Sequence, residues 1–482
     1  GILRVDHPDV IDFIQMKNDM VTLTNFNISV GITDAFMEAL EKGEDYELKN
    51  PRDGEAVKRI PARMVFDLIL ANAWKNGDPG LIYIDEINKH NVVKHLGDIE
   101  ATNPCGEQPL LGYESCNLGA INLNKMLKED ESDIDWGKLE ETVFNCVHFL
   151  DNVIDKNNYP IPQIAEQTRK TRKIGLGIMG FADVLYRMMI PYDSDEGLKM
   201  GEKVMKFIRE KAAEKSEDLA KTRGVFPAWE GSELEKTGRK LRNACVTTVA
   251  PTGTIGMLAE ASGGLEPNFA LAFIKNVMDG TELIYTNHYF EKELKKRGLY
   301  SHDLMMEITQ TGGIQEMEEI PEDIKRVFVT AQDIIPEWHI RMQAAFQKHV
   351  DSSVSKTINF PQGASIEEVE QAYWLAYKLK CKGITIYRDK SREGQVLNIG
   401  KVYKGELNKP KVQEIIPPPV TSNMEDREKP KDSLKKSDPS KSTQPTKSEL
   451  FESKECPDCK GTLQVSEGCM LCLNCGFSAC TV

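Results

Sequence analysis

The chain has 482 residues, 40% hydrophobic and 28% charged, which is the balance of a globular enzyme large enough to hold a deep site. Its formal net charge of -14 argues against nucleic acid or an anionic membrane as the main partner, since either would demand a basic face. No apolar run reaches the roughly 18 residues of a membrane span, and Gly1-Ile2-Leu3-Arg4 lacks signal-peptide architecture, so the expected location is the cytoplasm.

The start at Gly1 runs straight into the patterned segment His7-Pro8-Asp9-Val10-Ile11, and the chain reads as a fragment lacking upstream sequence. Apolar residues at three- and four-residue spacing predict long helices over Trp136 to Lys156 and Asp195 to Thr222. Cys245 to Val249 is predicted as a strand leading into the loop Pro251-Thr252-Gly253-Thr254-Ile255 and a helix. Lys356 to Phe360 reads as a strand and Ser365 with Glu368 as a capping box opening a helix. Gly383 is expected to stop that helix, and Ile384 to Tyr387 to form a second strand, so the unit is one crossover of a parallel sheet. The fold class is therefore α/β, with no convincing internal repeat.

Three parts follow from composition: a folded body over 1–402, a linker over 403–454 and a cysteine-rich tail over 455–482. The linker is Pro-, Ser-, Lys- and Asp-rich with few apolar residues, the composition of a flexible tether. Six of the eleven cysteines fall in the tail. Cys456 with Cys459 and Cys472 with Cys475 form two Cys-x-x-Cys knuckles, and four thiolates suit tetrahedral zinc. Cys469 and Cys480 are left over as redox candidates, and Cys469 with Cys472 makes a third such pair, so the ligand set stays open. Asp458 and Glu467 against a lone Lys460 leave no basic stripe for nucleic acid.

The chemistry concentrates at Asn103-Pro104-Cys105-Gly106-Glu107. If extended, this segment projects Asn103, Cys105 and Glu107 from one face, joining an amide, a thiol and a carboxylate able to act as general base. Pro104 argues for a loop rather than a central strand. Pro251 to Ile255 offers backbone N–H groups and two hydroxyls where a helix begins, a cradle for phosphates. Gly175-Leu176-Gly177-Ile178-Met179-Gly180 satisfies a dinucleotide-binding pattern, but Thr168 to Lys173 before it is no buried strand, so close packing at a helix start is the preferred reading.

Asn103 to Leu123, with Tyr113-Glu114-Ser115-Cys116-Asn117-Leu118, resembles the finger-loop region of class II, adenosylcobalamin-dependent ribonucleotide reductases. Leu23 to Val30, Gly175 to Phe181, Pro251 to Ile255 and Gly383 to Asp389 resemble further blocks in the family's order. The resemblance implies a ten-stranded α/β barrel, here without its first strands, with a loop through its centre carrying Cys105 as the transient thiyl radical. It also implies Glu107 as acceptor of the ribose 3′-hydroxyl proton, Asn103 as a sugar contact, Cys116 as one reducing thiol, and Pro251 to Ile255 as the phosphate site. The second reducing thiol, expected upstream, matches none of Cys146, Cys245 or Cys381. Ile386-Tyr387 stands where partner-dependent relatives carry two tyrosines, which favours adenosylcobalamin as radical source.

Further implied are a ribonucleoside diphosphate substrate, a homodimer and a thioredoxin-like reductant. The tethered tail suits re-reduction of the active-site disulfide; structural zinc is the equal alternative. The rival readings are a class I large subunit fed by a partner and an inactive nucleotide-binding or zinc-ribbon remnant.

Overall fold

Strands β1 (Ile2–Arg4), β2 (Ser29–Ile32), β3 (Gly80–Tyr83), β4 (Ala101–Thr102), β5 (Pro109–Leu110), β6 (Leu118–Asn122), β7 (Gly175–Met179), β8 (Thr357–Phe360) and β9 (Gly383–Arg388) frame the site. The helices that matter to it are α1 (Ala62–Asn76), α2 (Trp136–Lys156), α3 (Phe181–Arg187), α4 (Asp195–Arg223), α5 (Gly253–Leu258), α6 (Pro336–Gln347) and α7 (Ile366–Lys378). The computed structural model describes residues 1–18, 23, 26–276 and 282–391, and three short tail strands. It divides into two units, Gly1–Gly405 and Glu406–Val482.

In the first unit a five-stranded sheet has the order β1-β2-β3-β9-β8. β1, β2 and β3 are parallel, β9 is antiparallel to β3, and β8 is parallel to β9. α1 returns the chain from β2 to β3, burying Val65, Phe66, Ile69, Leu70 and Ala73 along one stripe, the spacing a helix needs to cover a sheet. α7 does the same between β8 and β9 behind the expected capping box, with both Ser365 and Glu368 bonds made. Gly383 does not stop it: α7 ends at Lys378, Lys380 takes the left-handed turn at φ 62°, and Gly383 is already the first residue of β9.

A second set of strands pairs β6 with β7 in parallel and extends through single bridges, Leu176 to Thr247 and Val249 to Val354. The predicted strand over Cys245 to Val249 is thus reduced to two bridging residues. The two bridges fall on opposite edges of the segment, toward Leu176 and toward Val354, while the Asp351 carboxylate takes the N–H groups of Val246 (3.1 Å) and Thr247 (3.3 Å). Each sheet has its own core. Phe36, Phe66, Ile358 and Tyr373 pack behind the first, and Leu139, Ile178, Ile208 and Phe346 behind the second. Among the described residues no helix is long and apolar enough to cross a membrane.

The glycine block forms β7 itself, with only Gly180 at the start of α3, which corrects the expectation of a helix-start motif. Its packing reading is the one the geometry gives. A methyl group on Gly177 would lie 2.3 Å from the carbonyl oxygen of Thr248, so no side chain fits between these segments.

In the second unit β10 (Leu463–Ser466), β11 (Cys469–Cys472) and β12 (Ser478–Cys480) form an antiparallel sheet, with Cys469 opposite Cys480 and Cys472 opposite Leu463. Cys456, Cys459, Cys475 and the proposed linker lie outside the described residues.

Candidate active site

The hairpin of β4 and β5 carries Asn103 to Gln108 at its tip. This tip is a tight turn and not an extended edge. Gly106 donates its N–H to Asn103 O (3.1 Å), and the Asn103 side-chain oxygen accepts the N–H of Gln108 (3.0 Å). Gly106 sits at φ 83°, a conformation open chiefly to glycine, so Gly106 supplies the turn that brings Glu107 inward. The alternation argument therefore fails here, and turn geometry takes its place. Asn103 spends its oxygen on bracing the turn.

Both strand sets grip this tip. The carbonyl of Glu107 accepts the Ser353 N–H (3.0 Å) and the Thr248 hydroxyl (2.7 Å) from the second set. On the opposite side Asn27, just before β2, reaches Pro104 O (3.4 Å), and the Gly106 α-carbon faces Ile82 of β3. The loop is thus held between the two strand sets.

Cys105 is exposed at the tip, whereas Glu107 is 3% exposed. One carboxylate oxygen of Glu107, Oε2, is buried without a hydrogen-bond partner among the described residues. A carboxylate oxygen is not left so without cost unless a ligand or proton meets it. Partial burial raises the Cys105 thiol above its ordinary range and the Glu107 charge adds to the effect. Cys116 is raised in the same way, first by burial and further by Glu107, with a backbone hydrogen bond opposing. The Glu107 charge thus contributes to the upward shift of both thiols.

The Cys116 loop is fixed by Glu114, a residue given no role from sequence. Its buried carboxylate accepts from Lys173 Nζ (2.7 Å), the Thr171 hydroxyl (2.6 Å) and Leu111 N–H (2.7 Å). Ser115 adds a contact to Thr168. Cys146 lies on α2, while Cys245 and Cys381 are buried; burial pushes Cys245 up to about 11 and Cys381 up to about 12.

Thr252 stands at φ 51° ahead of α5, and its hydroxyl oxygen accepts Gly264 N–H (2.8 Å). Gly253, Thr254 and Ile255 follow, all exposed, in the first helical turn, where backbone N–H groups lack helical partners. The return segment is tied down twice. Asp183 of α3 accepts Ser262 N–H (2.6 Å) and Asn124 Nδ2 (2.9 Å), and Glu266 pairs with buried Lys356 while accepting Thr357 N–H (2.6 Å).

Sequence reasoning missed Thr248, Ser353, Asp183 and Gln108, whose buried Nε2 also lacks a partner among the described residues. Thr248 lies within the predicted strand Cys245 to Val249, and Gln108 follows Glu107 directly; neither residue type signals a role by itself. Ile386 is buried on β9 and Tyr387 beside it is partly buried.

The sequence model of the ribonucleotide reductase barrel domain matches residues 1–387. A vitamin B12-dependent ribonucleoside-diphosphate reductase of Thermoplasma acidophilum is 52% identical over 417 residues, covering 86% of this chain and 54% of the relative. One of the same description from Mycobacterium tuberculosis is 48% identical over 399 residues, covering 83% and 57%. The chain thus spans about half the length of these curated relatives. The class Id ribonucleotide reductase alpha subunit of Actinobacillus ureae superposes with a TM-score of 0.67 at 23% identity, covering 81% of this chain and 70% of that one, a likeness of fold. By its barrel domain, the chain belongs to the ribonucleotide reductase family.

Proposed function

We propose that this chain is the catalytic barrel region of an adenosylcobalamin-dependent enzyme that reduces ribonucleoside diphosphates to 2′-deoxyribonucleoside diphosphates. The observation that carries the reading is the buried, partnerless Glu107 oxygen in the same turn as the exposed Cys105 thiol. Cys105, as a thiyl radical, takes the 3′ hydrogen atom of the ribose, and Glu107 takes the 3′-hydroxyl proton. Cys116, with a second thiol, supplies the two electrons and protons that release the 2′-hydroxyl as water and leave a disulfide. Asn103 contacts the sugar, and Pro251, Thr252, Gly253, Thr254 and Ile255 cradle the phosphates with first-turn N–H groups.

Adenosylcobalamin supplies the initiating radical when bound. The exposed Cys105 thiol fits such a source, and the exposed Ile255, Met257 and Leu258 on α5 suit an apolar ring edge. The relatives named vitamin B12-dependent support the choice. A ten-stranded barrel, body, linker and tail divided at 402 and 454, a homodimer, a thioredoxin-like reductant and a cytoplasmic setting complete the reading. In the tail, Cys456, Cys459, Cys472 and Cys475 are assigned to zinc and Cys469 and Cys480 to thiol exchange.

The test is anaerobic addition of adenosylcobalamin and a ribonucleoside diphosphate to the full-length protein, with deoxynucleotide measured. Product is expected without a second subunit, and Cys105→Ser is expected to abolish it. Turnover that needs a partner subunit would sink the cofactor assignment in favour of a class I large subunit.

A further inference from the structure

Lys382 immediately precedes β9 and is 4% exposed. Its backbone carbonyl accepts Tyr83 N–H (3.0 Å) at the end of β3, inside the first sheet. Its side chain crosses to the second strand set, where Nζ donates to the carbonyls of Asp351 (2.7 Å) and Ser352 (2.5 Å). The next residue, Ser353, gives its N–H to Glu107 O, and its carbonyl shares the Thr248 hydroxyl that also binds Glu107 O. Gln343 of α6 spans the same seam, from Val354 O (3.4 Å) to Gly383 O (2.8 Å).

No carboxylate is hydrogen-bonded to Lys382 among the described residues. Its ammonium is spent on two backbone carbonyls, a costly burial for a charge if it served packing alone. Asp351, Arg209, Glu86 and Cys245 act on it, His90 and Lys173 line the same small cavity, and Asp351 is committed to Arg209 and the 246–247 backbone. Burial lowers the ammonium to about 8.

We infer that Lys382 is a positioning residue for the reacting pair, clasping the two strand sets so that the 351–353 segment presents Glu107 and Cys105 in register. The inference rests on Cys105 and Glu107 being that pair. Lys382→Met keeps the stem and removes the donors, leaving Asp351 O without that bond and Ser352 O with only the longer contact from Gln347 Nε2 (3.4 Å). The loosened tip then relieves the partial burial and the Glu107 charge that raise the exposed Cys105 thiol.

Alkylation of each cysteine by iodoacetamide at pH 8, followed by mass spectrometry on the full-length protein, reads this directly. Cys105 is expected to react at least about threefold faster in Lys382→Met. Cys146 on α2, raised by burial alone, is expected to keep its rate. In the enzyme supplied with adenosylcobalamin, kcat is expected to fall about tenfold with KM within about twofold. An unchanged Cys105 rate overturns the inference, and so does a parallel rise at Cys146, the mark of general loosening. If Lys382→Met does not fold, Lys382→Gln, retaining one donor group, carries the same measurement. The labelling reads Lys382 whether or not the enzyme turns over, whereas activity surviving in Cys105→Ser would remove the proposed function itself.

Discussion

The hydroxyl of Thr248 donates to the backbone carbonyl of Glu107 at 2.7 Å, so a strand-like segment 141 residues away holds the tip of the hairpin. The same hydroxyl lies 3.1 Å from Ser353 O. Thr248→Val preserves shape and deletes this donor; we expect a loss of about 1–3 kcal/mol in unfolding free energy by urea titration. Turnover is expected to fall further than in a surface Thr→Val control.

Glu107→Gln keeps the volume of the buried side chain and removes the proposed base. Turnover is expected to drop on the order of 100-fold or more, with substrate affinity by calorimetry nearly unchanged. Full activity in this variant would exclude Glu107 as proton acceptor.

The raised thiols give a second readout of the same carboxylate. A raised thiol holds less thiolate at a given pH, so Cys105 and Cys116 should alkylate more slowly at pH 8 than free cysteine. Glu107→Gln removes the added negative charge, and both rates should rise together. A response at one thiol alone would separate Cys116 from the site.

Gly177→Ala places a methyl group 2.3 Å from a backbone oxygen, and backbone cannot swing aside as a side-chain end can. Destabilisation of about 1–3 kcal/mol or more is expected. Gly253→Ala, which meets nothing within 4 Å, is the matched control for space, expected to cost little in stability.

Glu266→Gln strands the buried Lys356 ammonium, which burial already lowers and Glu266 partly restores. A loss of about 3 kcal/mol is expected, measured by chemical denaturation, and Lys356→Met in the same background should recover much of it. Loss of phosphate-bearing substrate affinity alongside stability would mark the pair as a support of the Thr252 loop.

Local signals carried much of the fold. The Ser365–Glu368 box, the 21-residue α2 and the β8–α7–β9 crossover were legible because caps and helical periodicity are properties of neighbours in sequence. Gly383 was misassigned because a glycine after a helix ordinarily serves as its cap, whereas here Lys380 takes the left-handed turn. Cys245 to Val249 does pair, with Leu176 on one edge and Val354 on the other, but only through single bridges, and which neighbours it meets, with Asp351 more than a hundred residues on taking two of its N–H groups, is set by tertiary structure.

By itself, the sequence determined the family, the α/β class and the identity of Asn103, Cys105, Glu107 and Cys116 as candidate chemistry, since motif order and residue type are one-dimensional facts. Tertiary structure alone decided how Cys105 is presented. A turn at Gly106 replaces the extended edge, Glu107 is buried with one oxygen unmet, and Thr248, Ser353 and Lys382 fix the loop from distant segments. Hydrogen bonds across such separations depend on which strands the chain brings together, and no local spacing encodes them.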